Sequence, residues 1–369
     1  MQQRGLSARD AVCLLVVCTL GTSIASGLSL GLGRDSWLAV LIAIIPMAVL
    51  MLIYGSINKA MPNKDIFEIM ELCLGKGLAK LTSIIFIAWF LIIAAQSAGV
   101  FARFIHLSSL TKTPLLAIVL LMLLPAIYMT KSGGQLLGKW AFVMLLAIAA
   151  ILIFALAFSI PNMDFHKLLP IAQGSKRELL KGSAKLIASP LGEAAILLVM
   201  IGKVKEGRKP FKLFLIGGGI SLLFLLITEL RTLTILGAEM AANAQFAEYR
   251  ANGVLKIGPF LQRIEALVEF VYVLSGMVKI AAFIWCGARG IAQTFKTTQK
   301  KSLWAGTAIT AAALLPWLFM NDLQLEAINR MIRICALPIV TVLPLIVAVA
   351  ALFKRKKHRQ EQAAPGNLL

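Results

Sequence analysis

Apolar residues run along this chain in long stretches separated by short polar segments. A helix needs about 20 predominantly apolar residues to cross a bilayer. By that measure ten spans are predicted, at 10–33, 37–57, 81–105, 114–130, 139–160, 184–202, 211–236, 260–288, 302–320 and 335–353. The pattern therefore predicts an all-α polytopic membrane protein with ten transmembrane helices. Because the number of spans is even, both termini are predicted to lie on the same side.

The composition indicates the same class of protein. Hydrophobic residues make up 59% of the 369 residues, charged residues make up 15%, and the mean hydropathy is +0.86. This balance leaves too little polar surface to cover a water-soluble core. The first apolar run is too long for a signal peptide, and we expect it to be retained. One transmembrane domain is predicted over residues 1–353, followed by a basic cytoplasmic tail at 354–369.

The distribution of basic residues predicts the orientation. With the N-terminus inside, the inner segments hold clearly more Lys and Arg than the outer loops, although the outer loop at 161–183 weakens the contrast. Under the positive-inside rule both termini are cytoplasmic. The net charge of +20 then reflects topology and attraction to anionic membrane lipid. No basic patch interleaved with aromatic residues indicates nucleic acid as a partner.

Three polar segments are predicted to lie outside the bilayer. Residues 61–77 have the pattern of a short amphipathic helix at the inner surface. Residues 160–182 form a predicted outer loop, and residues 238–259 form another with room for one or two helical turns. Neither loop has enough apolar residues for a core of its own.

Two spans contain helix-breaking stretches near mid-membrane, at 21–27 in the first span and 188–193 in the sixth. A broken helix leaves backbone groups that lipid cannot satisfy, so these groups are expected to face a buried cavity. The breaks occupy corresponding positions if spans 1–5 and 6–10 form inverted repeats, an arrangement typical of a transporter binding site. The structural alternatives are that Gly27 and Gly31 only allow helices to approach and that Pro190 only bends its helix.

The two breaks predict how a small zwitterion would bind. Backbone N–H groups at 22–26, at the positive end of a half-helix, would meet a carboxylate. Carbonyl groups freed at 188–191, helped by a carboxylate at the second break, would meet an ammonium group. The predicted ligand-binding residues, including two that would line or gate the cavity from the third and eighth spans, are Gly21, Thr22, Ser23, Ser26, Gln96, Ser189, Pro190, Gly192, Glu193 and Glu269.

Three further charged residues are assigned to structure or gating: Arg231, Arg263 and Glu265. Glu265 lies one helical turn before Glu269, and two bare carboxylates there would repel each other. We expect Glu265 to pair with Arg263 or Arg231, with ligand contact as the alternative, and Glu269 to be protonated or bonded to a polar neighbour. Arg231 is expected to anchor the outer end of the seventh span. Lys279 is expected to extend to the inner surface.

Catalysis finds no support in the sequence. His106, His166 and His358 are scattered, and no Cys or carboxylate stands near them at metal-ligand spacing. The triple glycine at 217–219 lacks the Lys and Ser/Thr of a phosphate-binding loop. No enzyme activity, metal or cofactor is therefore predicted.

Three motifs carry a resemblance to a known family. Residues 189–193 read Ser-Pro-Leu-Gly-Glu where the family has Phe-Pro-Phe-Gly-Glu, Arg231 is followed by Leu236 and Gly237, and residues 260–267 read Phe-Leu-Gln-Arg-Ile-Glu-Ala-Leu. Over essentially its full length the chain resembles the endospore germination permease family, the B subunits of GerA-type nutrient germinant receptors. That family is a branch of the amino acid/polyamine/organocation transporter superfamily.

The resemblance implies a LeuT-like bundle of ten helices, built as a 5+5 inverted repeat with discontinuous helices 1 and 6. It also implies a subunit of the spore inner membrane that works with A and C subunits. Such a subunit recognises a small nutrient, commonly an L-amino acid, and triggers germination as helices 1 and 6 close. Two alternatives stay open: an autonomous amino-acid transporter of the same fold, coupled to protons through Glu193 or Glu269, and a purely structural membrane subunit.

Overall fold

The computed structural model describes residues 6–28, 30–204, 209–253 and 264–363, with side chains except at 24–26, 203, 264–266 and 356–363. No β-strand forms among these residues. Leu6 and Val204 are joined by an isolated β-bridge. The helices are α1 (Ala8–Ser26), α2 (Ser36–Ile42), α3 (Ile44–Ala60), α4 (Ile66–Ser108), α5 (Leu115–Lys131), α6 (Gly134–Ser159), α7 (Lys176–Ala188), α8 (Ile196–Met200), α9 (Pro210–Leu236), α10 (Ala238–Asn243), α11 (Ala247–Gly253), α12 (Ile264–Thr294), α13 (Gln299–Ala313), α14 (Leu315–Phe319), α15 (Asp322–Val340) and α16 (Val342–Ala363). Short 3₁₀ turns lie at Gly33–Asp35, Ile160–Asn162, Phe165–Leu168, Leu191–Ala195 and Ile201–Lys203.

Most of these helices are suited to a bilayer. Eight helical segments of the described chain are long and apolar enough to cross a membrane, namely Gly33–Ala60, Ile66–Ser108, Gly134–Asn162, Lys176–Met200, Pro210–Leu236, Leu267–Thr294, Gln299–Phe319 and Asp322–Arg355. The helix α1 and the shorter apolar helix α5 occupy the other two predicted positions. The predicted polytopic helical architecture is confirmed, and the count of ten spans stays a prediction.

The helix α12 lies at the centre of the bundle. It packs against α1, α4, α5, α6 and α13. Small residues bring α12 close to α4, since a Cβ added at Gly276 would lie 2.4 Å from the Phe101 ring and one added at Gly287 would lie 2.4 Å from Leu91. Large apolar side chains on the outside, such as Ile45 and Leu124, suit contact with lipid.

The polar segment predicted at 61–77 contains a short helix that begins at Ile66 and is interrupted at Gly75, whose φ of 76° is non-helical. The Asp65 carboxylate accepts a hydrogen bond from the Glu68 N–H at 3.0 Å and so caps this helix. Arg289 on α12 forms ion pairs with Asp65 at 3.0 Å and Glu68 at 3.1 Å. The short helix is therefore fixed to the central helix, and its place at the membrane surface stays a prediction.

One of the two predicted outer loops agrees with the structure, and the other is shorter than predicted. The segment 238–259 contains the short helices α10 and α11, as expected. The loop at 160–182 is shorter than predicted, because α7 begins at Lys176 rather than near residue 184. A reciprocal capping box between Ser175 and Glu178 starts the helix there.

The sixth span is broken where the sequence predicts it. The helix α7 ends at Ala188, and Ser189 is extended with φ −163° and ψ 128°. Pro190 has no N–H to continue the helical hydrogen bonds. The chain resumes as the 3₁₀ turn Leu191–Ala195 and the single helical turn of α8.

The first span is interrupted later than predicted. The helix α1 begins after Ser7, whose side chain caps it, and runs without a break through Ser26. It ends at Gly27, which has a φ of 73° and donates its N–H to the Ser23 carbonyl at 2.9 Å. Of the predicted break at 21–27, residues 21–26 are therefore helical, and α1 ends at Gly27, the last residue of that range.

Candidate functional site

A buried ion pair joins the end of α1, the break in the sixth span and the middle of α12. The Lys279 Nζ lies 2.6 Å from the Glu193 Oε2, and the two side chains are 0% and 2% exposed. We call Lys279 and Glu193 the lysine pair. Charges taken out of water are tolerated when they are paired and have further polar contacts, and here each partner of the ion pair also has a hydrogen bond with a neighbouring hydroxyl group.

Neutral hydroxyl groups complete the surroundings of the lysine pair. Lys279 Nζ donates a hydrogen bond to Thr22 Oγ1 at 3.0 Å, and Ser189 Oγ donates to Glu193 Oε1 at 3.0 Å. Two predicted site residues, Thr22 and Glu193, thus contact one ammonium group, and a third, Ser189, bonds to the other oxygen of Glu193. The break in the sixth span supplies the extended Ser189 and the carboxylate, and α1 supplies the threonine.

Gly21 has a different role from the one predicted. A Cβ at this position would lie 2.7 Å from the Lys279 Cδ. Gly21 therefore leaves room for the lysine stem to pass along α1, while its backbone stays helical. The sequence marked the right residue as important and assigned it the wrong reason.

The predicted capture of a carboxylate by N–H groups at 22–26 is also wrong. These residues lie near the C-terminal end of α1, where helical N–H groups bond to carbonyls four residues earlier. A C-terminal end presents unpaired carbonyl oxygens and partial negative charge. This end suits an ammonium group, which is what Lys279 places beside Thr22. The Ser26 side chain lies outside the described residues.

Gly192 and Pro190 shape the break rather than supply charge. A Cβ at Gly192 would lie 2.6 Å from the Ile187 carbonyl oxygen and 2.7 Å from Val340. The Tyr54 hydroxyl donates to the Val340 carbonyl at 2.8 Å and lies 3.5 Å from the Gly192 carbonyl oxygen. The turn therefore packs tightly against α3 and α15, and Glu193 is held in a fixed place.

Gln96 and Glu269 contact other parts of the molecule. The Gln96 side chain donates to Asn329 Oδ1 at 3.0 Å. Glu269 accepts hydrogen bonds from Ser108 at 2.7 Å and Ser109 at 2.5 Å, which confirms the expected polar neighbour. Glu269 precedes Lys279 by ten residues on α12, about 15 Å along a helix axis. These contacts do not bring Glu269 into the lysine pair.

A second buried ion pair, the arginine pair of Arg231 and Glu248, ties α11 to α9. Arg231 Nη1 lies 2.7 Å from Glu248 Oε1, with exposures of 0% and 2%. Arg231 also donates to Asn252 and, at 3.2 Å, to Ser159 Oγ, while Thr232 donates to the other Glu248 oxygen.

This network fits the anchoring role predicted for Arg231. The other two residues predicted to act with it are Arg263 and Glu265. Arg263 and the Glu265 side chain lie outside the described residues.

The sequence reasoning missed Lys279 because the eighth span was ended too early. The predicted span stopped at 288, which put Lys279 near the inner end, but α12 continues to Thr294. Lys279 is therefore near the middle of a helix of 31 residues and does not extend to the surface. An ionisable residue at that depth is the signal that identifies it.

The candidate site consists of charged and hydroxyl groups. It holds one buried cation, one buried anion and two hydroxyl groups, and within the described ranges no cluster of three His, Cys, Asp or Glu side chains is placed to hold a metal ion. Nucleophilic catalysis requires a nucleophile beside a positioned base. The arrangement is instead a buried polar cluster inside an apolar bundle.

Comparisons with known proteins identify the family of the chain. A family model described as spore germination protein matches residues 5–322. The chain is 22% identical over 367 residues to spore germination protein KB of Bacillus subtilis (strain 168), and the match covers 98% of each chain.

Solved transporter structures have the same fold. The chain is similar to MhsT in complex with L-phenylalanine, with a TM-score of 0.67 and 11% identity over 96% of this chain and 93% of that one. It is also similar to a Na⁺-coupled sialic acid symporter, with a TM-score of 0.69 and 9% identity over 100% and 94% of the two chains. At such identities the likeness shows the fold alone, and the predicted LeuT-like fold is confirmed. Because the family model covers most of its length, the chain belongs to the family of spore germination proteins and is a membrane protein rather than an enzyme.

Proposed function

We propose that this chain is the nutrient-binding subunit of a spore germinant receptor and that it binds a small L-amino acid where α1 meets the break in the sixth span. The lysine pair is the observation that carries the proposal, because a buried ammonium and a buried carboxylate meet there at 2.6 Å. The family supports a role in germination. A similar fold holds L-phenylalanine in MhsT, which supports an amino acid as the ligand class.

The ammonium group of the ligand is expected at Glu193. The carboxylate is fixed by Ser189, and the C-terminal ends of α1 and α7 add partial negative charge nearby. Gly192 keeps the turn compact enough for Glu193 to reach this place. Gln96 and Glu269 are left out of direct contact in this proposal, because their hydrogen bonds lie elsewhere.

Binding is expected to draw α1 and the broken span together. A ligand shifts a conformational equilibrium only when it binds one state more tightly than the other. A ligand held between Thr22 on α1 and Glu193 in the break meets that requirement, since separation of the two elements removes half of its contacts. In this proposal A and C subunits in the spore inner membrane bind the closed state and transmit the signal. Both termini of this chain lie in the cytoplasm.

The proposal is tested by binding of the proteinogenic L-amino acids to the purified full chain in lipid nanodiscs, followed by calorimetry. We expect at least one amino acid to bind and its affinity to fall in Gly21→Leu, because the new side chain takes the space of the Lys279 stem. The matched control is Gly219→Leu on α9, where a Cβ meets nothing within 4 Å. A bound amino acid whose affinity is unchanged in both Gly21→Leu and Glu193→Gln contradicts the proposed site.

The alternative is an autonomous transporter, and the transporter fold of the similar structures favours it. Uptake of a labelled amino acid into proteoliposomes that contain this chain alone distinguishes the two. Binding without uptake supports the receptor subunit, whereas uptake that Glu193→Gln abolishes supports the transporter.

A further inference from the structure

The lysine pair consists of the same two charged groups that an α-amino acid carries. Glu193 offers a carboxylate and Lys279 an ammonium, and the two groups are paired with each other at 2.6 Å. We propose that the ligand inserts between them. Its ammonium then pairs with Glu193 in place of Lys279, and its carboxylate pairs with the Lys279 ammonium. The inference rests on the proposed function and names the ligand class as a zwitterion whose two charges are close together.

The exchange keeps the charges of the site balanced. Before binding, one cation faces one anion. After binding, two ion pairs stand in series, Glu193 with the ligand ammonium and the ligand carboxylate with Lys279. No proton has to be gained or lost, and no buried charge is left without a partner, which is the state that costs most in an apolar interior.

The structure allows Lys279 to withdraw while Glu193 stays. The Lys279 stem lies against Gly21, which has no side chain to hold it in place. A lysine ammonium is a compact point charge on a flexible stem with three rotatable donors, so it exchanges partners without a fixed geometry. Glu193 belongs to the tight turn that packs against Val340 and is held by Ser189.

This scheme also gives the ligand carboxylate a binding partner in place of the N–H groups of residues 22–26 that the sequence predicted. The N–H groups of residues 22–26 are not available to an anion, because they lie within the C-terminal part of α1. Lys279 is the buried cation beside Thr22 and supplies the positive charge that the ligand carboxylate needs. A single residue therefore serves as a resident competitor for Glu193 and as the partner of the ligand carboxylate.

The scheme predicts which analogues fail. A methyl ester keeps the ammonium and lacks the carboxylate, so it displaces Lys279 and leaves that cation unpaired. An N-acetyl amino acid keeps the carboxylate and leaves Glu193 unpaired. Removal of one partner from a buried charge pair costs enough to weaken binding about thirtyfold or more.

The test compares three probes on each variant of the full chain in nanodiscs: the proteinogenic L-amino acids, their methyl esters and their N-acetyl derivatives. Wild type is expected to prefer the zwitterion by about thirtyfold or more. Lys279→Met is expected to prefer the ester, because Glu193 then needs a lone cation. Glu193→Gln is expected to prefer the N-acetyl form, because Lys279 then needs a lone anion.

The matched controls remove the arginine pair, which is equally buried and has no hydrogen-bond partner in common with the lysine pair. Arg231→Met and Glu248→Gln are expected to leave the order of the three probes unchanged. Thermal unfolding verifies the fold of each variant, and Lys279→Gln, which keeps a polar group beside Glu193, gives the same comparison where Lys279→Met does not fold.

The outcomes separate this inference from the proposed function. If wild type binds a zwitterion but Lys279→Met and Glu193→Gln keep its order of probes, the exchange is wrong and amino-acid binding stands. If wild type binds none of the probes, the proposed function falls. If, in that case, a methyl ester binds to Lys279→Met, Glu193 is still supported as a cation site. If no variant binds any probe, both the proposed function and the proposed exchange are wrong.

Discussion

The lysine pair and the arginine pair are buried to the same degree and are built differently. Exposures are 0% and 2% in each, and the closest nitrogen–oxygen distances are 2.6 and 2.7 Å. Arg231 is bonded to Glu248, Asn252 and Ser159, and Glu248 receives a further bond from Thr232. Lys279 is bonded to Glu193 and to one hydroxyl group of α1, and Glu193 receives a further bond from Ser189.

The difference indicates two purposes for a buried charge. A guanidinium presents a rigid fork of donors, and several acceptors are placed to meet it, so the arginine pair fixes α11 on α9. An ammonium has no preferred plane and is held by fewer groups, so the lysine pair can change partners. A buried ion pair is weak evidence for stability by itself, and the number of additional bonds distinguishes a structural pair from an exchangeable one.

The largest predicted effect breaks the arginine pair. Arg231→Met leaves the Glu248 carboxylate buried without its cation, and we expect a loss of about 3–5 kcal/mol of stability. Thermal or denaturant unfolding in nanodiscs measures it. As a control, Arg330→Met removes a pair that is 69% and 66% exposed, which is worth about 0.3–0.5 kcal/mol. Equal losses in the two variants would end the structural interpretation of the arginine pair.

A smaller loss of stability is predicted at the end of α1, and it tests whether this helix ends at Gly27 or already breaks at Gly21 beside the lysine pair. Gly27 has a φ of 73° and a ψ of 179°, a conformation essentially restricted to glycine, so Gly27→Ala is expected to cost about 1–3 kcal/mol. Gly21→Ala gains about 1 kcal/mol of helix propensity and pushes on a flexible lysine stem, so the net change in stability is expected to be small. Unfolding measurements on both variants decide the point. A cost at Gly21 as large as that at Gly27 would mean that the helix already breaks at Gly21.

The smallest predicted effect concerns Glu269, which sequence reasoning placed in the site. Because Glu269 lies about 15 Å along α12 from Lys279, Glu269→Gln is expected to change ligand affinity by about twofold or less. Calorimetry with the amino acid that wild type binds best measures the change. Abolished binding would return Glu269 to the ligand cavity and weaken the separation between the lysine pair and the rest of α12.

The sequence predicted the sixth-span break because the reason is local. Pro190 lacks an N–H wherever the chain places it, and its presence inside an apolar run requires an interruption. The lengths of the apolar runs predicted the membrane-spanning helices, and the LeuT-like fold was implied by the resemblance that the family motifs carry. Such features need no knowledge of which helices become neighbours.

The errors concern residues whose role depends on distant partners. Gly21 and Thr22 are weak helix formers, but packing of α1 against α6, α9 and α12 keeps them helical. Gly21 accommodates a side chain that lies more than 250 residues away in the sequence. Glu269 meets Ser108 and Ser109, a pairing that no spacing within one helix predicts.

The helix α12 carries Lys279 near its middle and Arg289 toward its end, ten residues or about 15 Å further along. A hydrogen-bonded helix changes length very little, so a shift along its axis at the buried ammonium moves Arg289 by the same distance. Asp65 and Glu68 tie the short helix at 66–74 to that guanidinium, and the non-helical Gly75 lets the segment turn separately from the rest of α4. The helix α12 thus connects the buried Lys279 to the short helix at 66–74, which is predicted to lie at the cytoplasmic face.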